Sequence, residues 1–138
     1  MRREVFVDSG AWFALYIAAD PNHSAACRWM ATSRGALLTT DYVIDETLTL
    51  LRARGQREIS LDFGTAVFAN ELANDLAVVH YVTPTEIAAA WEVFHRFADK
   101  DWSFTDCTSK VILEGLGLAT AFAFDQHFRQ FGTVLVVP

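Results

Sequence analysis

Short apolar segments rich in β-formers recur along the chain, separated by longer stretches with helical spacing. They are VFVD (5–8), ALLT (36–39), LAVVHYV (76–82), ATAFAF (119–124) and TVLVV (133–137). The stretches between them predict helices at 10–19, 22–33, 41–54, 58–74, 85–98 and 105–116, with a brief helical turn at 126–131. Such alternation predicts a parallel sheet covered by helices on both faces, and strands rich in Val, Ala and Phe suit burial on two sides. The expected class is α/β. Pro84 opens one helix, Gly55 follows another, and Gly115 with Gly117 closes the helix before ATAFAF. GLGLAT has the look of a dinucleotide fingerprint, but it ends a helix where a fingerprint must follow a strand, so C-capping accounts for it.

With 138 residues, of which 52% are apolar and 13% aromatic, the chain is read as one domain with a substantial core. Trp12, Phe13, Tyr16 and Ile17 have helical spacing and are expected in the core or between subunits. Two cysteines, Cys27 and Cys107, lie outside any CxxC pair and outside ligand spacing of a histidine. Free thiols in a reducing compartment are expected, with no structural zinc. Glu4 and Asp8 interrupt the apolar N-terminus, so VFVD reads as a strand and not as part of a leader. No run is long enough to span a bilayer, and a cytoplasmic protein is expected.

The net charge of −6 disfavours simple electrostatic attachment to nucleic acid or an anionic membrane. It leaves room for a nucleic-acid enzyme, because two divalent cations held in one acidic site would offset four of those charges. In an open α/β sheet, ligands bind beyond the carboxyl ends of the strands. Asp8 ends the first strand, and Asp125 follows ATAFAF. Asp106, in SFTDCTSK, begins the helix before that strand, while Glu46 lies one turn into the helix after ALLT. Topology can bring all four to one edge.

Each acid also has a structural explanation. Asp8 and Asp125 can serve as helix N-caps, worth about 1 kcal/mol each. Asp106 stands three residues after Ser103, the spacing of a capping box. Glu46 is harder to explain this way, because it shares a helix face with Val43 and Leu50, whereas Asp45 aligns with Asp41 and Leu48. A carboxylate on that face needs a cation from another element or from a metal. Two carboxylates about 4 Å apart repel by roughly 4 kcal/mol at an effective dielectric of 20. Clustered, the four would demand cations, and oxygen-only ligation selects Mg2+ or Mn2+. Such ions activate water and stabilise a reacting phosphodiester, which points to hydrolytic phosphoryl transfer.

Four segments in this order, VDSGAW, DYVIDETLTLL, KDWSFTDCTSKVILEGLG and AFAFDQHFRQFG before a closing strand, resemble the PIN-domain ribonucleases. The closer likeness is to the VapC toxins of toxin–antitoxin pairs. The resemblance implies a three-layer α/β/α sandwich, a homodimer, an RNA substrate, and a VapB-like antitoxin whose C-terminal arm covers the acidic groove. It makes Asp8, Glu46, Asp106 and Asp125 the catalytic quartet that holds Mg2+ or Mn2+ and positions water. Ser9 would then contact a metal water or phosphate, or else cap its helix, and Asp101 would support the site or sit as a solvated loop charge. Gly10 replaces the Ser or Asn often found there, which removes a second hydroxyl contact.

Of the remaining groups, Arg52, Arg54 and Arg57 form the compact basic cluster, read as a solvated helix end or as a hold on the RNA backbone. His23, His80, His95 and His127 lack paired metal spacing and are read as structural or exposed, with His127 near enough to Asp125 for a contact to substrate. Cys107 is expected to be an inert thiol. Two other classes compete with a nuclease. A phospho-accepting domain would need a second aspartate two residues after Asp8, where Gly10 stands. A silent RNA- or protein-binding module, or a nuclease that is not a toxin, would keep the same fold.

Overall fold

The structure is a computed structural model that describes residues 2–33, 35–68 and 76–138. Strands β1 (Arg2–Val7), β2 (Leu37–Thr40), β3 (Val78–His80), β4 (Leu118–Phe122) and β5 (Leu135–Val137) form one parallel sheet, in the order β3-β2-β1-β4-β5. Among the described residues seven helices flank it: α1 (Ser9–Tyr16), α2 (His23–Thr32), α3 (Asp41–Ala53), α4 (Arg57–Phe68), α5 (Pro84–Arg96), α6 (Phe104–Gly115) and α7 (His127–Gln130). The part of the expected helix 58–74 beyond residue 68 lies outside the described residues.

Successive strand residues point to opposite faces. Val5, Phe6 and Val7 of β1 are all buried, as is every residue of β2, so both faces of the sheet's centre are covered. β3 and β5 are edge strands of three residues each, a length that limits unwanted edge pairing. The strand expected over 76–82 is shorter for a local reason. Beyond His80 the Val82 N–H donates to Asp41 Oδ1 at 2.8 Å, so a side chain takes the place of the ladder and turns the chain toward α5.

Chain order and strand order diverge at one place. The chain steps outward from β1 to β2 to β3, then crosses through α5 and α6 to β4 on the other side of β1. The switch point therefore falls between β1 and β4, where open α/β sheets place their ligands. Val7 stands opposite Phe122 at the carboxyl ends of these two strands, and the Asp8 N–H still donates to the Phe122 carbonyl at 3.1 Å.

The core beneath this edge is aromatic. Trp12, Phe6, Phe63, Phe122 and Phe128 are fully buried, and Trp12 and Tyr16 both pack on Phe63. Trp12 Nε1–H donates to Thr39 Oγ1, and that hydroxyl donates on to the Val7 carbonyl, so the one polar atom of the indole ties α1 to β2 and β1. Gly117 closes α6 at a φ of +66° and Gly55 follows α3 at +74°, both in the left-handed region where only glycine is unstrained. GLGLAT is accordingly a helix stop followed by a strand.

Candidate functional site

Asp8, Glu46, Asp106 and Asp125 line one open pocket of about 440 Å3 at the switch point, together with Ser9, Gly10, Leu50, Asp101, Ser103 and His127. Four elements deliver the acids. Asp8 leaves the end of β1 and precedes α1, Glu46 projects from the second turn of α3, Asp106 sits in the first turn of α6, and Asp125 follows β4. Residues separated by up to 117 positions meet because the crossover sets β1 beside β4.

The structural explanations for the acids fare differently. Asp8 occupies the N-cap position of α1, yet its side chain makes no capping bond; its Oδ1 is buried without a hydrogen-bond partner among the described residues. Capping therefore does not explain it. Asp106 does complete a capping box: its amide donates to Ser103 Oγ at 3.0 Å, and its Oδ2 accepts from the Ser103 N–H at 2.9 Å. Asp125 Oδ1 accepts from the His127 N–H at 2.9 Å, a local turn contact that engages one oxygen of an otherwise exposed carboxylate. Glu46 is half-buried, as its position beside Val43 and Leu50 requires, and its Oε1 accepts from Ser9 Oγ. Ser9 thus holds Glu46, a use that differs from both roles expected of it.

Electrostatics agree with crowding of like charge. Burial pushes the Asp8 carboxyl well above its ordinary range, and the charge of Asp106 adds to the effect. Glu46 is also raised, chiefly by burial; the Ser9 hydroxyl opposes the shift, and Asp106 and Asp125 reinforce it. Among the described residues no lysine or arginine lines the pocket. Cys107, next to Asp106, is pushed up to about 11 by burial and by that carboxylate, so it stays an unreactive thiol.

The donor set fits a hard divalent cation. It is all oxygen on the acids, it includes a buried oxygen with nothing to bond to, and it keeps one free oxygen on each of Glu46, Asp106 and Asp125 beside the engaged one. Among the described residues, no three Asp, Glu, His or Cys side chains already stand close enough together to grip an ion.

Other expected groups fall elsewhere. Asp101 lines the pocket but is exposed. Arg52, Arg54 and Arg57 are exposed around the end of α3 and the start of α4, and none reaches the acids: Arg52 borders a separate cavity between α3 and α4, and Arg54 lies over the Phe13 ring. His127 has more to do than its sequence position suggested. Its Nδ1 is 2.9 Å from Asp106 Oδ2 and 3.3 Å from Asp125 Oδ1. The signal was available in AFAFDQHF, where a histidine two residues after a site aspartate at a helix start must face the same edge.

Residues 5–134 match the PIN domain family. The chain is 35% identical to the 23S rRNA-specific endonuclease VapC20 of Mycobacterium tuberculosis over 135 residues, covering 97% of this chain and 98% of that protein. It is 28% identical to a VapC ribonuclease of Archaeoglobus fulgidus, covering 88% of this chain and 77% of the relative. The crystal structure of Mycobacterium tuberculosis VapC20, described as a sarcin-ricin loop cleaving toxin, superposes with a TM-score of 0.88 at 31% identity and covers 98% of this chain and all of that one.

Proposed function

The chain belongs to the PIN-domain family, and from that premise we propose that it is a Mg2+- or Mn2+-dependent endoribonuclease, the toxin of a VapBC-type pair. Residues 1–138 are read as a single PIN domain. The observation that carries the reading is the buried, unpartnered Oδ1 of Asp8 in a pocket shared with three further acids from three other elements. A structural carboxylate would have been given a partner or replaced.

In this reading Asp8, Glu46, Asp106 and Asp125 hold the ion. A divalent cation bound there lowers the pKa of a coordinated water and offsets negative charge on the phosphodiester. Ser9 keeps Glu46 turned into the pocket through its hydroxyl. The Ser103 amide fixes Asp106 Oδ2 and so leaves the other oxygen of that carboxylate for the site. Asp101, at the exposed rim, carries charge that discourages approach of RNA until cations are present. Hydrolysis adds water across the phosphorus–O3′ bond and leaves 5′-phosphate and 3′-hydroxyl ends.

VapC20 makes the sarcin–ricin loop of 23S rRNA the first substrate to test. A VapB-like antitoxin, a homodimer and a cytoplasmic location complete the proposal; among the described residues no helix is long and apolar enough to cross a membrane. The test is cleavage of a labelled stem-loop RNA carrying that sequence, with Mn2+, with Mg2+ and with EDTA. Wild-type protein is expected to cut only with a divalent ion. Asp8→Asn and Asp106→Asn should lose cleavage while keeping an unchanged circular dichroism spectrum, and full activity in Asp8→Asn would overturn the mechanism.

A further inference from the structure

Asp106 has two oxygens and three possible claimants: the Ser103 amide, the His127 ring and an ion. Both protein groups choose the same oxygen. Ser103 N–H donates to Oδ2 at 2.9 Å, and His127 Nδ1 lies 2.9 Å from Oδ2 as well. An ionised carboxylate only accepts, so the ring must carry its hydrogen on Nδ1 to bond there. The same Nδ1 lies 3.3 Å from Asp125 Oδ1, the oxygen already engaged by the His127 backbone N–H. His127 therefore spans two acids that arrive on different elements, α6 and the loop after β4, and draws on the same side of each carboxylate that its neighbours use. Asp106 Oδ1 and Asp125 Oδ2 make no hydrogen bond among the described residues.

We propose that His127 is a positioning residue for the metal site: its Nδ1–H holds Asp106 Oδ2 while its backbone N–H holds Asp125 Oδ1, so that one residue links the two acids and presents Asp106 Oδ1 and Asp125 Oδ2 to the cation. This rests on the reading of the pocket as a metal centre. The ring contact does two things. It supplies an N–H dipole between two like charges, which lowers their repulsion before an ion binds. It also fixes the rotation of the Asp106 carboxylate relative to the loop that carries Asp125, so that fewer conformations are lost when the ion is taken up. The ring is half-buried, and the next residue, Phe128, is buried in the core, which anchors the backbone that carries the histidine.

Three substitutions separate this role from simple packing. Asn places its amide nitrogen near the position of Nδ1, Gln places its own near Nε2, and Ala removes both. Titration calorimetry with Mn2+ alone, without RNA, reads the result. His127→Ala is expected to weaken Mn2+ binding by about 10- to 100-fold. His127→Asn should restore most of that loss, and His127→Gln should not. Melting curves of all three in EDTA check folding; should the Ala protein fail to fold, the Asn and Gln comparison decides alone. Wild-type affinity in the Ala variant, or equal rescue by Asn and Gln, would overturn the proposal while leaving the metal centre standing. Unchanged Mn2+ affinity with a raised KM for RNA would make His127 a substrate contact and would also overturn it. Wild-type protein that binds no Mn2+ would remove both this role and the site it serves.

Discussion

A carboxylate at the end of a buried strand is a poor choice for stability. Asp8 is 3% exposed, one of its oxygens has no partner among the described residues, and burial raises its pKa. The consequence for stability has a definite sign. Where the folded-state value lies above the unfolded one, native protein binds more protons in the window between them, and stability falls as pH rises through it. In EDTA at neutral pH, above the ordinary carboxylate value of 3.8, the raised Asp8 carboxyl therefore weakens the fold. Asp8→Asn is expected to melt at a higher temperature than wild type there, with the difference shrinking as pH falls toward that value. Mn2+ should reverse the order, because only wild type gains the binding energy. Melting curves with EDTA or Mn2+ over that range check it, and a lower melting temperature for Asp8→Asn in EDTA at neutral pH would contradict it. Glu46 offers a milder case. Ser9→Ala removes the hydroxyl held against Oε1 and should weaken Mn2+ binding about tenfold in calorimetry, in the range expected for groups that orient a ligand. Helix periodicity placed Glu46 correctly beside Val43 and Leu50, yet the Ser9 contact joins residues 37 positions apart and has no local signature.

Two helices begin with the same device and use it for different ends. Thr83 and Glu86 form a capping box on α5, and Ser103 and Asp106 form one on α6. Loss of the capping oxygen costs about 1 kcal/mol in each case, so Thr83→Ala and Ser103→Ala should lower the denaturation midpoint by similar amounts. Only Ser103→Ala should also lower the cleavage rate, several-fold at limiting Mn2+, because the lost Oγ accepts from the Asp106 amide and so anchors the backbone that carries an acid of the pocket, whereas the Ser103 N–H on Asp106 Oδ2 remains. Urea melts and a metal-dependent cleavage assay on both variants decide this, and equal cleavage by the two would argue that the α6 box is structural alone. At this scale the sequence was informative wherever the signal is local. The Ser103 spacing, Pro84, Gly55 and Gly117 marked helix ends correctly, since caps and left-handed stops act within a few residues. β3 was overestimated because the bond that ends it comes from Asp41, in another element. Arg52, Arg54 and Arg57 cluster in sequence, but they lie at the end of α3 and the start of α4, outside the pocket that Glu46 lines, so adjacency along the chain conveyed nothing about adjacency to the acids.

Across the whole molecule, the alternation of short strands with helices fixes a parallel sheet, but it leaves open which strands are neighbours. The site depends on that unread step, since Asp8 and Asp125 meet only because the chain returns from the β3 edge to lay β4 against β1. The result concentrates part of a net charge of −6 in one open pocket of about 440 Å3, with no lysine or arginine in its lining among the described residues. In the proposed function RNA brings more negative charge to the same place. Without divalent ions the acids should repel the substrate, and with them the same acids become its anchor. Neutralising two of them without removing their shape separates these effects. Glu46→Gln with Asp125→Asn should bind a stem-loop RNA several-fold more tightly than wild type in EDTA at low salt, when measured by fluorescence anisotropy. In Mn2+ the proposed metal centre makes the order invert, since the double variant lacks two of its proposed ligands and wild type would carry cations facing the phosphates. Rising salt should compress the EDTA difference as screening shortens the reach of the acidic field. Equal RNA affinity for the two proteins in EDTA would mean that the substrate lies away from the pocket, and the acids would then have no part in holding it.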